Sequence, residues 1–562
     1  MTLRFLAFVL SLALSTAAMG WAASVPVRAK NAMVASQNAI ASQVGMEVLL
    51  GGGNAVDAAV ATAFALAVVH PEAGNIGGGG FLLLRQKSGA AAVYDFREQA
   101  PAAADATMFL VNGRYDRERH HQSPVAVGVP GTVAGLHVAW SDAGRLPWKQ
   151  LLLPAIALAR DGFMVSDGLA RSLRAELPRM RRYPASLAQF SRAGVPYEMG
   201  DLLQQEDLAK TLEVIANKGV RGFYQGEIAL LIEKEMKARG GLITREDLKR
   251  YTVYRRPVLR GTYRGYEVLA PPPPSSGGTG LLECLNLLEG YDLRGMGFGS
   301  SRYLHYLAEA LRRAFADRAR FLGDPAFVKD MPVERLISKE YAASLRKTIR
   351  ENRASASSPV SFEWPAESGE TTHFSVVDEE RNAVALTYTL EDGYGSGIVV
   401  PGAGFLMNNE MGDFNAGPGL TDATGLVGTE PNLATPGKRM LSNMTPTIVV
   451  KDGRPLLVVG AAGGRKIPGT VLQILVGVLD FDMNVQEAID APRISHQWLP
   501  DVILHEPFGL SADTAEALRA RGHQVEERGA GEWSRAHGIA VRDGLLEGGS
   551  DRRKPDGAAI GR

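Results

Sequence analysis

The chain has 562 residues, 45% hydrophobic and 22% charged, and its 61 basic and 61 acidic side chains give a formal net charge of zero. That balance excludes a nucleic-acid footprint and a polybasic membrane patch, while the length suits two or three ordinary domains or one large intertwined one. Cys284 is the only cysteine, so no disulfide forms within the chain and stability must come from burial.

In chain order, Arg4 precedes an apolar run from Phe5 to Leu14, and small residues follow to Ala23. This layout predicts a secretory signal peptide over residues 1–22, with Gly20 and Ala22 ahead of the cut, and a periplasmic or secreted product. An uncleaved membrane anchor is disfavoured, because the run falls short of the ~20 residues that span a bilayer. Residues 54–69 read as a helix started by Asn54 after the Gly51-Gly52-Gly53 turn, apolar on nearly every side and therefore buried between layers. Gly77-Gly78-Gly79-Gly80 lacks the lysine and hydroxyl of a phosphate-binding loop and leads into a strand rather than a helix. Strands are expected over 81–84, 92–96, 266–269, 447–450 and 456–459. The pair His120-His121 has no carboxylate or cysteine at ligand spacing, so no metal site is assigned there. Pro271-Pro272-Pro273-Pro274 reads as a rigid turn into a helix near Leu281, with Cys284 packed inside it. A second helix over 303–321 presents Leu304, Leu307, Leu311, Ala314 and Phe315 to the core, with Arg312, Arg313, Asp317 and Arg320 largely on other faces. Mixed helices and strands of this kind predict a layered α/β or α+β architecture.

The region after Glu370 carries geometry as well as composition. Residues 372–377 and 383–390 are strand-prone and flank the polar connection Asp378-Glu379-Glu380-Arg381-Asn382, which predicts a hairpin. A turn centred on Glu380 sets Thr371 opposite Thr389, and directly opposed side chains share a face with roughly 5 Å between Cβ atoms. Taken alone, Thr389 would be explained by the frequency of threonine in strands. A threonine that becomes a new amino terminus, however, carries nucleophile and base on one residue.

Thr371-Thr372-His373-Phe374-Ser375-Val376-Val377, Asn408-Asn409-Glu410-Met411, Pro446-Thr447 and Gly463-Gly464 resemble the small subunit of the gamma-glutamyltransferase (glutathione hydrolase) family. Gly53-Asn54-Ala55-Val56-Asp57-Ala58, Asp95-Phe96-Arg97-Glu98 and Ala308-Glu309-Ala310-Leu311-Arg312-Arg313 resemble its large subunit, so the likeness runs from about Ala29 to the C-terminus. The resemblance implies an N-terminal nucleophile hydrolase, an α+β sandwich of four layers, αββα, formed by two intertwined subunits. Cleavage between Glu370 and Thr371 would leave a large subunit, 23–370, and a small catalytic subunit, 371–562. The implied activity is an autoprocessing gamma-glutamyl hydrolase and transferase acting on glutathione and related compounds through an ester on Thr371, with water, an amino acid or a peptide as acceptor. No cofactor and no metal is implied.

The family roles fall on particular residues. Thr389 would orient the Thr371 hydroxyl and amine, and Gly463 and Gly464 would let backbone N–H groups reach the oxyanion. Arg97 would pair with the substrate α-carboxylate through its planar fork, helped by Ser442 and by Asn443, which stands where the family usually has a second serine. Glu410, Asp413 and Glu391 would receive the α-ammonium. Gly412 replaces a frequent aspartate, and in the lid-like stretch 418–436 the usual aromatic gate corresponds to Thr424. A less complete seal predicts that hydrolysis outweighs transpeptidation. Two alternatives stay open: an acylase of the same fold acting on glutaryl or poly-gamma-glutamate substrates, and an unprocessed binding protein.

Overall fold

The computed structural model describes residues 24–357, 370–420 and 428–562. The proposed signal peptide and Thr424 therefore lie outside the described residues. Two seven-stranded sheets stack face to face. The first runs Tyr254–Arg256, Ala91–Asp95, Gly79–Arg85, Ala383–Glu391, Glu370–Val377, Met33–Ser36 and Ala558–Gly561 from edge to edge. The second runs Val27–Ala29, Leu545–Ser550, Arg535–Arg542, Arg454–Ala462, Thr447–Lys451, Tyr266–Ala270 and Leu259–Tyr263. The expected strands are all present, four of them lengthened by one to five residues and the one expected over 92–96 shifted to Ala91–Asp95.

Strand alternation decides the layers. In the first sheet Leu82, Leu84, Phe374, Val376, Val384 and Leu386 face outward into a core shared with helices Ala39–Leu50, Ala55–Val69 and Trp148–Asp161. Phe81, Leu83, Val377, Ala383 and Ala385 face inward and meet Leu269, Ile448, Val458 and Ile539 of the second sheet. The outer face of the second sheet packs under helices Ser276–Leu288, Ser301–Phe321 and Lys466–Asp480. The order helix, sheet, sheet, helix is the four-layer α+β sandwich expected from the sequence.

Helix Ala55–Val69 is buried along its whole length, and Asn54 caps it in a reciprocal box with Asp57. Phe64 meets Trp148 edge-on at 5.6 Å, which closes the side away from the sheet. The glycine run serves strand packing. A Cβ at Gly77, Gly78, Gly79 or Gly80 would collide with the carbonyl oxygens of Leu406, Thr389, Phe96 and Thr387 respectively. The proline-rich turn leads into Ser276–Leu288, where Cys284 is buried.

The polar face of Ser301–Phe321 departs from the reading of an ordinary core-facing helix. Arg312 is buried, donates to Asp501 and Ser357, and lies 3.4 Å from Glu309. Glu309 also accepts from Ser355 and Arg313. The helix thus pins residues 355–357 to its own polar face. No helix among the described residues is long and apolar enough to cross a membrane.

Candidate active site

The hairpin register is the predicted one: Thr371 pairs with Thr389, and the ladder runs to Val377 opposite Ala383. Thr371, His373, Ser375 and Val377 share the face toward the second sheet. Strand Met33–Ser36 reaches only residues 374–377 of strand Glu370–Val377, so at Thr371 the strand has a neighbour on one side alone. Thr371 accordingly sits at the open end of the cleft between the sheets. Its hydroxyl lies 3.3 Å from the Thr389 hydroxyl, which also accepts the Glu391 N–H at 2.9 Å. Asn75 holds the Thr389 carbonyl at 2.9 Å and accepts from the Gly78 N–H and the Thr132 hydroxyl.

One step along, the ladder breaks. Glu370 pairs with Glu391, so Leu390 is an extra residue opposite the 370–371 peptide bond. Glu391 has φ +79, a left-handed conformation that a non-glycine residue holds at a cost of about 1–3 kcal/mol.

A narrow pocket of about 20 Å³ gathers Arg97, Thr371, Thr389, Glu391, Glu410, Asp413, Ser442, Asn443 and Gly464. Nine of the ten positions singled out in the sequence for nucleophile, oxyanion and substrate recognition therefore meet in one place. The tenth, Gly463, lines the adjoining groove instead. Both glycines have positive φ, +123 and +56, and a Cβ on Gly463 would lie 2.8 Å from the Ser534 Cα. Helix Lys466–Asp480 starts immediately after them, which brings the positive end of its dipole to the pocket. Ser442 is held by the proline-rich turn, its N–H donating to the Pro274 carbonyl at 2.7 Å and its carbonyl accepting from Ser276.

Residues 41–561 match the sequence profile of the Gamma-glutamyltranspeptidase family. The glutathione hydrolase proenzyme of Escherichia coli (strain K12) is 48% identical over 544 residues, 95% of this chain and 93% of that one. The chain belongs to the gamma-glutamyltranspeptidase family. The crystal structure of gamma-glutamyltranspeptidase from Helicobacter pylori superposes with a TM-score of 0.56 at 43% identity, covering 60% of this chain and 94% of that one. A cephalosporin acylase from Bacillus halodurans superposes with a TM-score of 0.85 at 29% identity, covering 97% and 98%.

Within this gamma-glutamyltranspeptidase fold, Arg97 is fully buried and already bonded to Glu410 and Asp413, with Glu98 at 3.6 Å. Three carboxylates thus face one guanidinium. Burial pushes the Glu98 carboxyl up to about 7 against the pull of Arg97, and pushes Glu410 well above the usual carboxylate range for the same reason. Burial acts to lower Arg97, but Glu410 and Asp413 outweigh it and the guanidinium stays charged.

Sequence reasoning missed Glu98 as a member of this cluster, although it sits in the quoted Asp95-Phe96-Arg97-Glu98 run. It also missed His121, whose Nδ1 lies 2.9 Å from Glu391 Oε1, with Asp392 close by. The fold brings to His121 the carboxylates that sequence spacing did not. Gly412 makes the space: a Cβ there would lie 2.5 Å from both the His121 Nδ1 and the Glu391 carboxylate. Asn408 clamps the cluster from behind, donating to the Gly77 and Gly128 carbonyls and accepting from the Glu410 N–H.

Proposed function

We propose that this chain is an autoprocessing gamma-glutamyl hydrolase and transferase, exported through its signal peptide and cut between Glu370 and Thr371 into subunits 23–370 and 371–562. The observation that carries the reading is the meeting, in one pocket, of the Thr371–Thr389 hydroxyl pair with a buried arginine and its carboxylates. In the precursor the Thr371 hydroxyl attacks the Glu370 carbonyl, shifting that acyl group from nitrogen to oxygen, and water releases it. The bulge opposite this peptide supports the reading, because the carbonyl there is released from regular ladder geometry. Cleavage frees an α-amine with an ordinary pKa of about 7.7–8.0, able to take the hydroxyl proton directly or through water.

In turnover the Thr371 Oγ attacks the γ-carbonyl of the donor. The tetrahedral oxyanion is received by the N–H groups of Gly463 and Gly464 at the start of helix Lys466–Asp480, donors typically worth about 2.7–4 kcal/mol. Collapse expels the amine and leaves a gamma-glutamyl ester on Thr371, which water or an amino acid or peptide acceptor resolves. A zwitterionic α-amino acid end inserts between charges that already pair with each other. Its carboxylate takes Arg97, assisted by Ser442 and Asn443, and its ammonium replaces the guanidinium as partner of Glu410 and Asp413, with Glu391 beside them. No charge is left unmatched by the exchange.

A glutaryl group, which lacks the ammonium, would take Arg97 and leave the buried Glu410 and the half-buried Asp413 without a cation. The lack of an ammonium therefore favours gamma-glutamyl donors such as glutathione over glutaryl substrates. Water as the main acceptor is part of the proposal and rests on Thr424 at the place of the family's aromatic gate.

Intact mass and N-terminal sequencing of the purified protein beside a Thr371→Ala variant test the reading. Two fragments, one beginning at Thr371, with an uncut variant, are expected, together with release of chromophore from a gamma-glutamyl anilide by the cut form only. A folded wild-type chain that stays whole overturns the mechanism and favours a binding protein.

A further inference from the structure

Helix Ser301–Phe321 turns the stripe Leu304, Leu307, Leu311 and Phe315 into the core it shares with helix Ser276–Leu288. The next position on that stripe is Arg318, which is only 4% exposed. A leucine would fill this place without the cost of taking a guanidinium out of water. What arginine adds is a charged donor, whose Nε bonds the Ser276 hydroxyl at 2.7 Å.

Ser276 opens helix Ser276–Leu288 and carries the interaction onward. Its hydroxyl donates to the Ser442 carbonyl at 2.6 Å, and its N–H reaches the same oxygen at 2.8 Å. The Ser442 N–H is tied to the Pro274 carbonyl at 2.7 Å, so one turn holds both backbone groups of Ser442. The Ser442 Oγ accepts the Met444 N–H at 3.1 Å, which leaves its own proton to donate into the pocket it lines with Arg97 and Thr371. Arg318, Ser276 and Ser442 are all buried. A hydroxyl that accepts from a cation away from water is itself a stronger donor, because each bond polarises the next.

We propose that Arg318 is a positioning residue for the donor α-carboxylate, acting through the Ser276 hydroxyl to fix Ser442. This inference rests on the gamma-glutamyl-transfer reading above. Under the cut proposed there, Arg318 and Ser276 belong to the large subunit and Ser442 to the small one, so the relay sets the carboxylate subsite across the subunit boundary. Arg318 does not line the pocket itself, and its removal leaves the nucleophile and the diglycine in place.

The test compares two donors on the processed enzyme, a gamma-glutamyl anilide and a 4-aminobutyryl anilide, which keeps the amine and the scissile amide but has no α-carboxylate. Arg318→Met suits the site, because Arg318 borders a small cavity with Leu311, Ala314 and Phe315. The KM of the gamma-glutamyl donor should rise about tenfold with kcat little changed, while the KM of the 4-aminobutyryl donor stays within about twofold. Ser276→Ala, which deletes one oxygen and keeps the Ser276 N–H bond, should act in the same direction. The double variant should be no worse than Arg318→Met alone, as two members of one chain require. A KM raised equally for both donors reports a general loosening and overturns the proposal, as do unchanged KM values or additive effects. If Arg318→Met fails to process, Ser276→Ala is set beside Ser276→Thr, which keeps the hydroxyl. A carboxylate-dependent rise in the alanine variant alone is then expected, and equal behaviour of the two overturns the proposal.

Calorimetric titration separates this inference from the reading it rests on, since L-glutamate and 4-aminobutyrate differ in the α-carboxylate alone. A wild-type preference for glutamate that falls in both Arg318→Met and Ser276→Ala upholds the role of Arg318 even if no donor is cleaved. A preference that survives both substitutions removes that role even if every donor is cleaved, and equal binding of the two ligands by the wild type removes the carboxylate subsite and the proposal with it.

Discussion

A methyl group at position 412 would press on both the His121 ring and the Glu391 carboxylate at 2.5 Å, so Gly412, His121 and Glu391 act as one unit. If Glu391 receives the donor ammonium, Gly412→Ala displaces it, and the donor KM should rise about tenfold, equivalent to about 1.4 kcal/mol. The kcat should change little, since Thr371, Thr389 and the diglycine are untouched; an unchanged KM would remove Glu391 from recognition. Glu98 gives a pH signature at the same scale. Neither of its carboxylate oxygens has a hydrogen-bond partner among the described residues, and its carboxyl is raised to about 7. Below that value it is neutral, and above it the cluster gains a negative charge that attracts the donor ammonium. The donor KM should therefore fall roughly threefold from about pH 6 to about pH 8, and Glu98→Gln should flatten that slope. Reading KM apart from kcat keeps this separate from titration of the Thr371 amine.

At the level of elements, the hairpin Glu370–Val377 and Ala383–Glu391 does the positioning. Thr389 accepts from Glu391 N–H and from the Thr371 hydroxyl, so Thr389→Val keeps the strand's shape and removes both bonds. The buried N–H left behind costs about 1–3 kcal/mol. Processing of a freshly purified precursor, followed as the appearance of the small subunit on a denaturing gel, should slow by at least about tenfold; a normal rate would show that the hydroxyl pair is incidental. This hairpin was legible in the sequence because period-two patterning and a central polar turn fix register without tertiary help. The bulge at Glu370 was not, because Leu390 reads as one more strand residue and nothing in the local pattern marks the φ of +79 at Glu391. Arg97 was found by its motif, but its burial against three carboxylates was not, since those partners lie up to 316 positions away. His121 was passed over for the same reason: its partner Glu391 is 270 residues distant.

For the whole molecule, the proposed cut falls between subunits that share both sheets. In the first sheet, strands of 370–391 lie between Gly79–Arg85 and Met33–Ser36, and in the second, Leu545–Ser550 lies beside Val27–Ala29 while Thr447–Lys451 pairs with Tyr266–Ala270. Separating the pieces would expose both inter-sheet faces and break ladders on each side. His537 ties the halves further, bonding Gln37 at 2.7 Å and Ser550 at 3.1 Å between the sheets. Burial holds its pKa down to about 4, below the ordinary value of about 6.5. The unfolded chain therefore binds this proton more readily than the folded one. Its stabilising contribution is complete above about pH 6.5 and is lost as pH falls through about 4. His496 follows the same rule for the same cause. The processed enzyme should thus elute as one species at any dilution near neutral pH and unfold in a single calorimetric transition whose midpoint is flat above about pH 6.5 and falls steadily toward about pH 4. Subunits that part on dilution at neutral pH would contradict the shared sheets, whereas a midpoint indifferent to acid would show that the two histidines stay hydrated.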